Sequence, residues 1–143
     1  MDAKLMLYPV LAMFVLVVIV AVTMLRRRVA FYKTNRVHPQ QTATSAQMAA
    51  TMPDSRAPDN FRNLFELPVM FYVLCLALVV TGLTCLPQLV FAWAYVAARY
   101  AHSYIQLTSN KVVLRFYAFA ASCLMLLAGW AMFAYQLATK AKV

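Results

Sequence analysis

The chain has 143 residues, 64% of them hydrophobic and 12% charged, with 13 Lys and Arg against 4 Asp and Glu and a formal charge of +9. Most of such a surface cannot face water, and the length supports a single domain, residues 1–143. The Lys and Arg residues lie between long apolar runs, which excludes nucleic-acid binding or disorder as the reason for the charge and makes it a topology signal.

A helix rises about 1.5 Å per residue and a hydrocarbon core is about 30 Å thick, so a span takes roughly 20 mostly apolar residues. The first expected span, Leu5 to Leu25, has no basic leader region and no Ala-x-Ala-like cleavage site, and it runs into Arg26, Arg27 and Arg28. It therefore reads as a retained anchor and not as a cleaved signal peptide. The basic segment 26–60 follows. Its middle, His38 to Pro58, is rich in Ala, Thr, Ser, Gln and Pro without a sustained apolar period, and a mobile loop is expected there.

The second span is expected over Phe61 to Leu83, with Pro68 as a local kink. Leu89 to Ala98 is too short to cross before Arg99, yet a crossing is needed between the second and fourth spans, so the third helix should run from Leu86 to Gln106. That puts Arg99 and His102 at interfacial or intramembrane depth. The fourth span is expected over Val112 to Leu137. The fold class is therefore all-α, an integral membrane bundle of four transmembrane helices with two tight connections. Cys75, Cys85 and Cys123 show no Cys-x-x-Cys spacing and read as core residues, with no metal site expected.

Basic residues favour the cytoplasmic side of short loops. Segment 26–60, and the 107–111 turn with Lys111 followed by Arg115, should face the cytoplasm. Both termini would then lie outside, despite Lys140 and Lys142, and the short loops fit a bacterial inner membrane.

The polar side chains within the spans cluster toward that same end. Asp59, Arg62, Asn63 and Glu66 fall at i, i+3, i+4 and i+7, one stripe of a continuous helix. Tyr95, Arg99, His102 and Gln106 form a second stripe, and Arg115, Phe119 and Ser122 a third. Alternating helix directions bring all three to one depth, so a cavity lined by Arg62, Glu66, Arg99, His102 and Arg115 would carry excess positive charge, suited to a small anionic ligand. The plainer reading stands beside it: each Arg snorkels to lipid phosphates, Arg62 neutralises Glu66, and His102 hydrogen-bonds a backbone carbonyl.

The run Arg62-Asn63-Leu64-Phe65-Glu66-Leu67-Pro68-Val69-Met70-Phe71 resembles the Asn-x-x-Glu signature, with its nearby Pro, of the MAPEG superfamily, the membrane-associated proteins in eicosanoid and glutathione metabolism. Arg99-x-x-His102 and the following Arg115 resemble further family motifs, and the likeness runs from Leu5 to Leu137. The resemblance implies a homotrimer of four-helix bundles that binds glutathione as co-substrate near the cytoplasmic side, between subunits. It implies that Arg62, Asn63, Glu66, Arg99 and His102 hold the peptide, that Arg27 or Arg28 reaches a carboxylate from the adjacent subunit, and that Arg115 is catalytic, facing the sulfur. The implied activity is glutathione transfer or peroxide reduction on lipophilic substrates. Gln106 and Phe119 stand where many members carry tyrosines, Phe116 where some carry Ser, and Asp59 where some carry Arg. These departures keep open a non-catalytic trimer that holds an anionic lipid or other acidic ligand. A small transporter is the third reading, weakened because Glu66 lies near one surface and not deep in a span.

Overall fold

In the computed structural model, which describes residues 2–140, a 3-10 turn over Ala3–Met6 opens the chain, capped by the Asp2 carboxylate accepting from the Lys4 amide at 3.0 Å. It leads into α1, Leu7–Asn35. Its 29 residues extend about 43 Å, more than a hydrocarbon core, so the last turns with Arg26 to Lys33 project beyond it. The helix stops at Arg36, in the left-handed region with φ 52°. A 3-10 turn, Pro39–Thr42, and α2, Ser45–Thr51, follow. Then come α3, Arg56–Asn63, α4, Leu67–Val80, α5, Leu86–Leu107, and α6, Val112–Lys140. Lys142, which entered the orientation argument, lies outside the described residues, as does the side chain of Lys140.

Three stretches are long and apolar enough to cross a membrane: Ala3–Asn35, Arg56–Val80 and Val112–Thr139. The 22 residues of α5 extend about 33 Å, long enough to cross as well. Its polar side chains turn inward: Gln88, Tyr95, Arg99, His102, Ser103 and Gln106 are all buried on one helical face together with Ala92 and Val96. A helix carrying those groups belongs inside the bundle, because lipid offers them no hydrogen bonds. α6 makes its most extensive packing with α5 and also touches α4, while α1 lies against α3, α4 and α5. The shared core joins Met6, Met13, Leu16 and Val20 to Phe71, Leu74 and Leu78, with Leu126 and Phe133 from α6. Phe71 stacks on Tyr95 with ring centroids 4.5 Å apart and planes 13° apart. Exposed Phe14, Ile19, Leu76, Leu124 and Leu127 face outward, where lipid is the natural solvent. The chain is an all-α integral membrane bundle.

The expected second span differs from the observed one. It begins earlier, at Arg56, and breaks at Leu64-Phe65-Glu66 before α4. Pro68 has no amide hydrogen for the Leu64 carbonyl and its ring crowds that carbonyl, so the i+4 ladder cannot run through. Glu66 takes up a non-helical φ of -97° and ψ of -101°. The i, i+7 relation between Asp59 and Glu66 therefore does not put them on one face.

The connection between the first two spans also differs from the expected mobile segment. Residues 26–35 belong to α1 and 56–60 to α3, and the part between them is tied down. Thr44 and Gln47 form a reciprocal capping box at the start of α2. The Tyr32 and Thr42 hydroxyls are 2.6 Å apart. The Asp54 carboxylate accepts from Arg56 Nε at 2.8 Å and Nη2 at 3.0 Å, and pairs with Arg27 at 3.5 Å. Arg27 Nη2 also donates to the Leu107 carbonyl at 2.6 Å, and Arg56 Nη1 to that of Thr108 at 3.0 Å. Asp54 thus latches the connection to the end of α5.

The hydrogen bonds from Arg56, with both guanidinium charges, hold the Asp54 carboxyl below its ordinary value of 3.8. A depressed carboxylate contributes stability that is present above the unfolded-state value, near pH 4, and is lost as pH falls through the lowered folded value. The expected outcome is that amide exchange in residues 44–56 stays protected at neutral pH and rises only below about pH 4. Asp54→Asn should show the raised exchange already at pH 7. A wild-type profile flat through the acid range would show that the latch contributes nothing.

Candidate functional site

The break before Pro68 leaves α3 as a short, separately oriented helix whose buried face is Ala57, Asn60 and Leu64. Asn60 is fully buried; its Nδ2 donates to the Ser103 carbonyl at 3.2 Å and its Oδ1 accepts from Ser103 Oγ at 3.0 Å. This two-bond clamp fixes α3 against α5. The opposite side of α3, with Asp59 and Asn63, faces a cavity of about 320 Å³ whose other walls come from the end of α5 and the start of α6.

His102 and Gln106 supply the α5 wall, and Val112, Arg115, Phe116 and Phe119 the α6 wall. His102 Nδ1 lies 3.1 Å from the Arg115 carbonyl oxygen, so this nitrogen carries a proton and donates. Its Nε2 lies 3.1 Å from the Gln106 amide. Both nitrogens are thereby fixed, and the imidazole stands 6.0 Å from the Phe119 ring, centroid to centroid. Arg115 Nη1 donates to Asn110 Oδ1 at 2.7 Å. Asn110 sits in the α5–α6 turn at φ 48°, a left-handed conformation that Asn tolerates better than most residues. The turn thus aims the arginine. Arg115 makes no carboxylate pair among the described residues. Phe116, 62% exposed, closes the cavity on the outward, lipid-facing side.

The structure distributes the expected site residues unevenly. Asn63, His102 and Arg115 gather in this cavity, together with Asp59, Gln106 and Phe119. Arg62 faces a second cavity, of about 260 Å³, in company with Arg28. Glu66 is exposed and lies beyond the break. Arg99 is wholly buried behind α3, where Nη2 donates to the Asn63 carbonyl at 3.1 Å. Arg27 is engaged with Asp54 and the Leu107 carbonyl, holding the connection. The expected surplus of three guanidinium groups over one carboxylate is therefore not present in one place: the first cavity holds one guanidinium, one carboxylate and one imidazole.

Asn60, Ser103, Asn110 and Asp54 were not singled out from the sequence. A signal existed for Asn60, which lies at i+3 from Ala57 and i−4 from Leu64, on the apolar side of α3. Asn60→Ala leaves the Ser103 hydroxyl without its acceptor, and a loss of about 1–2 kcal/mol is expected. Thermal unfolding in detergent checks this, with Asn60→Asp as the variant that keeps an acceptor for Ser103.

The fold and the cavity define a class: an integral membrane helical bundle with a polar, partly cationic cavity at one end, open on an apolar wall. The chain belongs to the MAPEG family, whose sequence model matches residues 5–135 and so takes in most of each span and every residue lining the two cavities. It is thus a membrane protein of the superfamily associated with glutathione and eicosanoid metabolism. No curated protein and no solved structure matches the chain.

Proposed function

We propose that the 320 Å³ cavity holds glutathione and that the protein is a glutathione-dependent transferase or peroxidase acting on lipophilic substrates. The observation that carries this reading is Arg115, aimed by Asn110 and free of a carboxylate, in one cavity with His102 and Asn63 and beside an outward wall of Phe116 and Phe119. The Asn63 amide and the His102–Gln106 pair are suited to the peptide's amide and carboxylate groups. The guanidinium suits the sulfur. A free thiol with a pKa near 8.5 is mostly protonated at neutral pH, and a fixed cation beside it favours the thiolate.

In conjugation the thiolate attacks the electrophilic carbon of a lipophilic molecule, an S–C bond forms, and the leaving group departs with the electron pair. In peroxide reduction the thiolate attacks the distal oxygen of a lipid hydroperoxide, giving the alcohol and a sulfenic acid. A second glutathione then converts that acid to disulfide and water. The lipid-facing aromatic wall is where such substrates would enter. The reading includes a homotrimer, with the loop end of the bundle in the cytoplasm of a bacterial inner membrane; the gathering of Lys and Arg residues at that end supports the orientation.

A second reading is a non-catalytic protein that holds an anionic ligand in the same cavity, favoured by Gln106 and Phe119, neither of which supplies a phenol near the sulfur. Glutathione binding to the detergent-purified protein, thiolate absorbance of the complex, and conjugation of a hydrophobic electrophile separate the two. Binding with ionisation and turnover is the expected result. Binding without ionisation selects the second reading, and no binding overturns the first.

A further inference from the structure

The turn between α5 and α6 is held from two sides. From within, the Thr108 amide donates to the Tyr104 carbonyl at 3.1 Å and the Asn110 amide to that of Ile105 at 2.7 Å. The C-terminal carbonyls of a helix have no partners further along it. Those of Leu107 and Thr108, at the end of α5, are reached from outside by Arg27 Nη2 and Arg56 Nη1. Cations in this position also complement the helix dipole.

Asp54 sets the place of these cations. One of its carboxylate oxygens accepts from Arg56 Nε at 2.8 Å, and the other accepts from Arg56 Nη2 at 3.0 Å and from Arg27 Nη1 at 3.5 Å. The tighter arm runs through Arg56. The carboxylate grips Nε and Nη2, which leaves Nη1 for the Thr108 carbonyl at 3.0 Å, and a planar fork held at two corners presents its third at a fixed angle. Two residues beyond Thr108, the Asn110 side chain receives Arg115 Nη1 at 2.7 Å. Both residues belong to one short turn, so a displacement of the Thr108 carbonyl is passed to the group that aims Arg115. Asp54, Arg56, Thr108, Asn110 and Arg115 thus form a relay, and of these only Arg115 lines the 320 Å³ cavity.

We propose that Asp54 is a positioning residue for the thiol chemistry: through Arg56 it fixes the α5–α6 turn, and through Asn110 the turn fixes the Arg115 guanidinium at the sulfur. This role depends on the glutathione reading of that cavity. Without the carboxylate, the Arg56 side chain is drawn to solvent and lipid phosphates, the Thr108 carbonyl loses its partner, and the turn gains freedom. The groups assigned to the peptide are held elsewhere, Asn63 and His102 standing on helices that the Asn60–Ser103 clamp joins. The defect should therefore fall on ionisation and turnover and spare binding.

The test uses the full chain in detergent, with the thiolate absorbance of bound glutathione followed against pH. Asp54→Asn should bind glutathione almost as the wild type does, yet its thiolate midpoint should rise by about one pH unit, a tenfold loss in the ionisation constant. Turnover should fall by about 10–100-fold in kcat with KM little changed, since misplacement by about 1 Å costs up to about 10²-fold. Arg56→Gln cuts the same relay one step on and should give the same pattern, while Asp54→Glu should recover part of both signals. A variant that merely loses folded molecules gives less thiolate at every pH with an unmoved midpoint, so the midpoint separates positioning from stability. An unmoved midpoint in Asp54→Asn and Arg56→Gln proteins that bind glutathione overturns the role of Asp54 and leaves the cavity reading intact. Failure of the wild type to bind glutathione overturns both.

Discussion

Arg115→Ala is expected to leave the protein folded, still able to bind glutathione, and unable to ionise it. The contacts of the arginine side chain decide this. Its side-chain hydrogen bond goes to Asn110, an intermediate-exposure residue of the turn, whereas the contact that fixes His102 is made by the Arg115 backbone carbonyl. Truncation at Cβ therefore leaves the His102–Gln106 arrangement and the α5–α6 packing in place. What disappears is the cation that the proposed glutathione reading puts beside the sulfur. Loss of a single preorganised electrostatic partner typically costs about 10²–10³-fold in kcat, and a comparable fall in turnover is expected here. Arg115→Lys keeps the charge but not the planar fork, so it should recover part of the thiolate absorbance. An Ala variant whose complex shows undiminished thiolate would remove Arg115 from the chemistry.

The polar stripe on α5 was legible because a helix repeats every 3.6 residues: Tyr95, Arg99, His102 and Gln106 occupy one face, and all four are buried there. The limits of α5 were legible too, since a crossing was needed between the second and fourth spans: Leu86 to Gln106 was expected, and Leu86–Leu107 is observed. The α3 stripe was not. Its i, i+7 arithmetic assumes a continuous ladder, and the break that Pro68 enforces takes Glu66 out of phase with Asp59 while leaving Asn63 in the cavity. The destination of Arg27 is a backbone carbonyl 80 residues away, and no local pattern points to it. Asp54 was equally opaque, because a lone acid in a polar stretch acquires meaning only when the end of α5 arrives beside it. Local periodicity thus placed individual faces, whereas the pairing of cations between two cavities depended on a kink angle and on long-range contacts.

Arg99→Met is expected to give a protein at least as stable as the wild type in detergent that binds glutathione about tenfold or more weakly, a shift of about 1.4 kcal/mol. The wild-type guanidinium has no exposure to solvent, and Nε and Nη1 have no hydrogen-bond partner among the described residues. The Tyr95 hydroxyl, one turn earlier, is unpartnered too. Glu66, the carboxylate beyond the break, is exposed and makes no ion pair with it. Burying a cation on these terms costs several kcal/mol, more than the roughly 1.5–3 kcal/mol returned by one charge-assisted hydrogen bond. Methionine of similar reach removes the charge and fills the space. The bond it forfeits is the one from Nη2 to the Asn63 carbonyl, at the C-terminal end of α3, where a cation both satisfies an orphan acceptor and complements the helix dipole. Without it the Leu64–Glu66 break is free to shift and Asn63 leaves its place in the cavity wall. Stability and binding should therefore move in opposite directions. A Met variant destabilised by about 3–5 kcal/mol would mean that the arginine is a paired structural charge; a stable variant with undiminished binding would mean that the position of Asn63 does not govern the site.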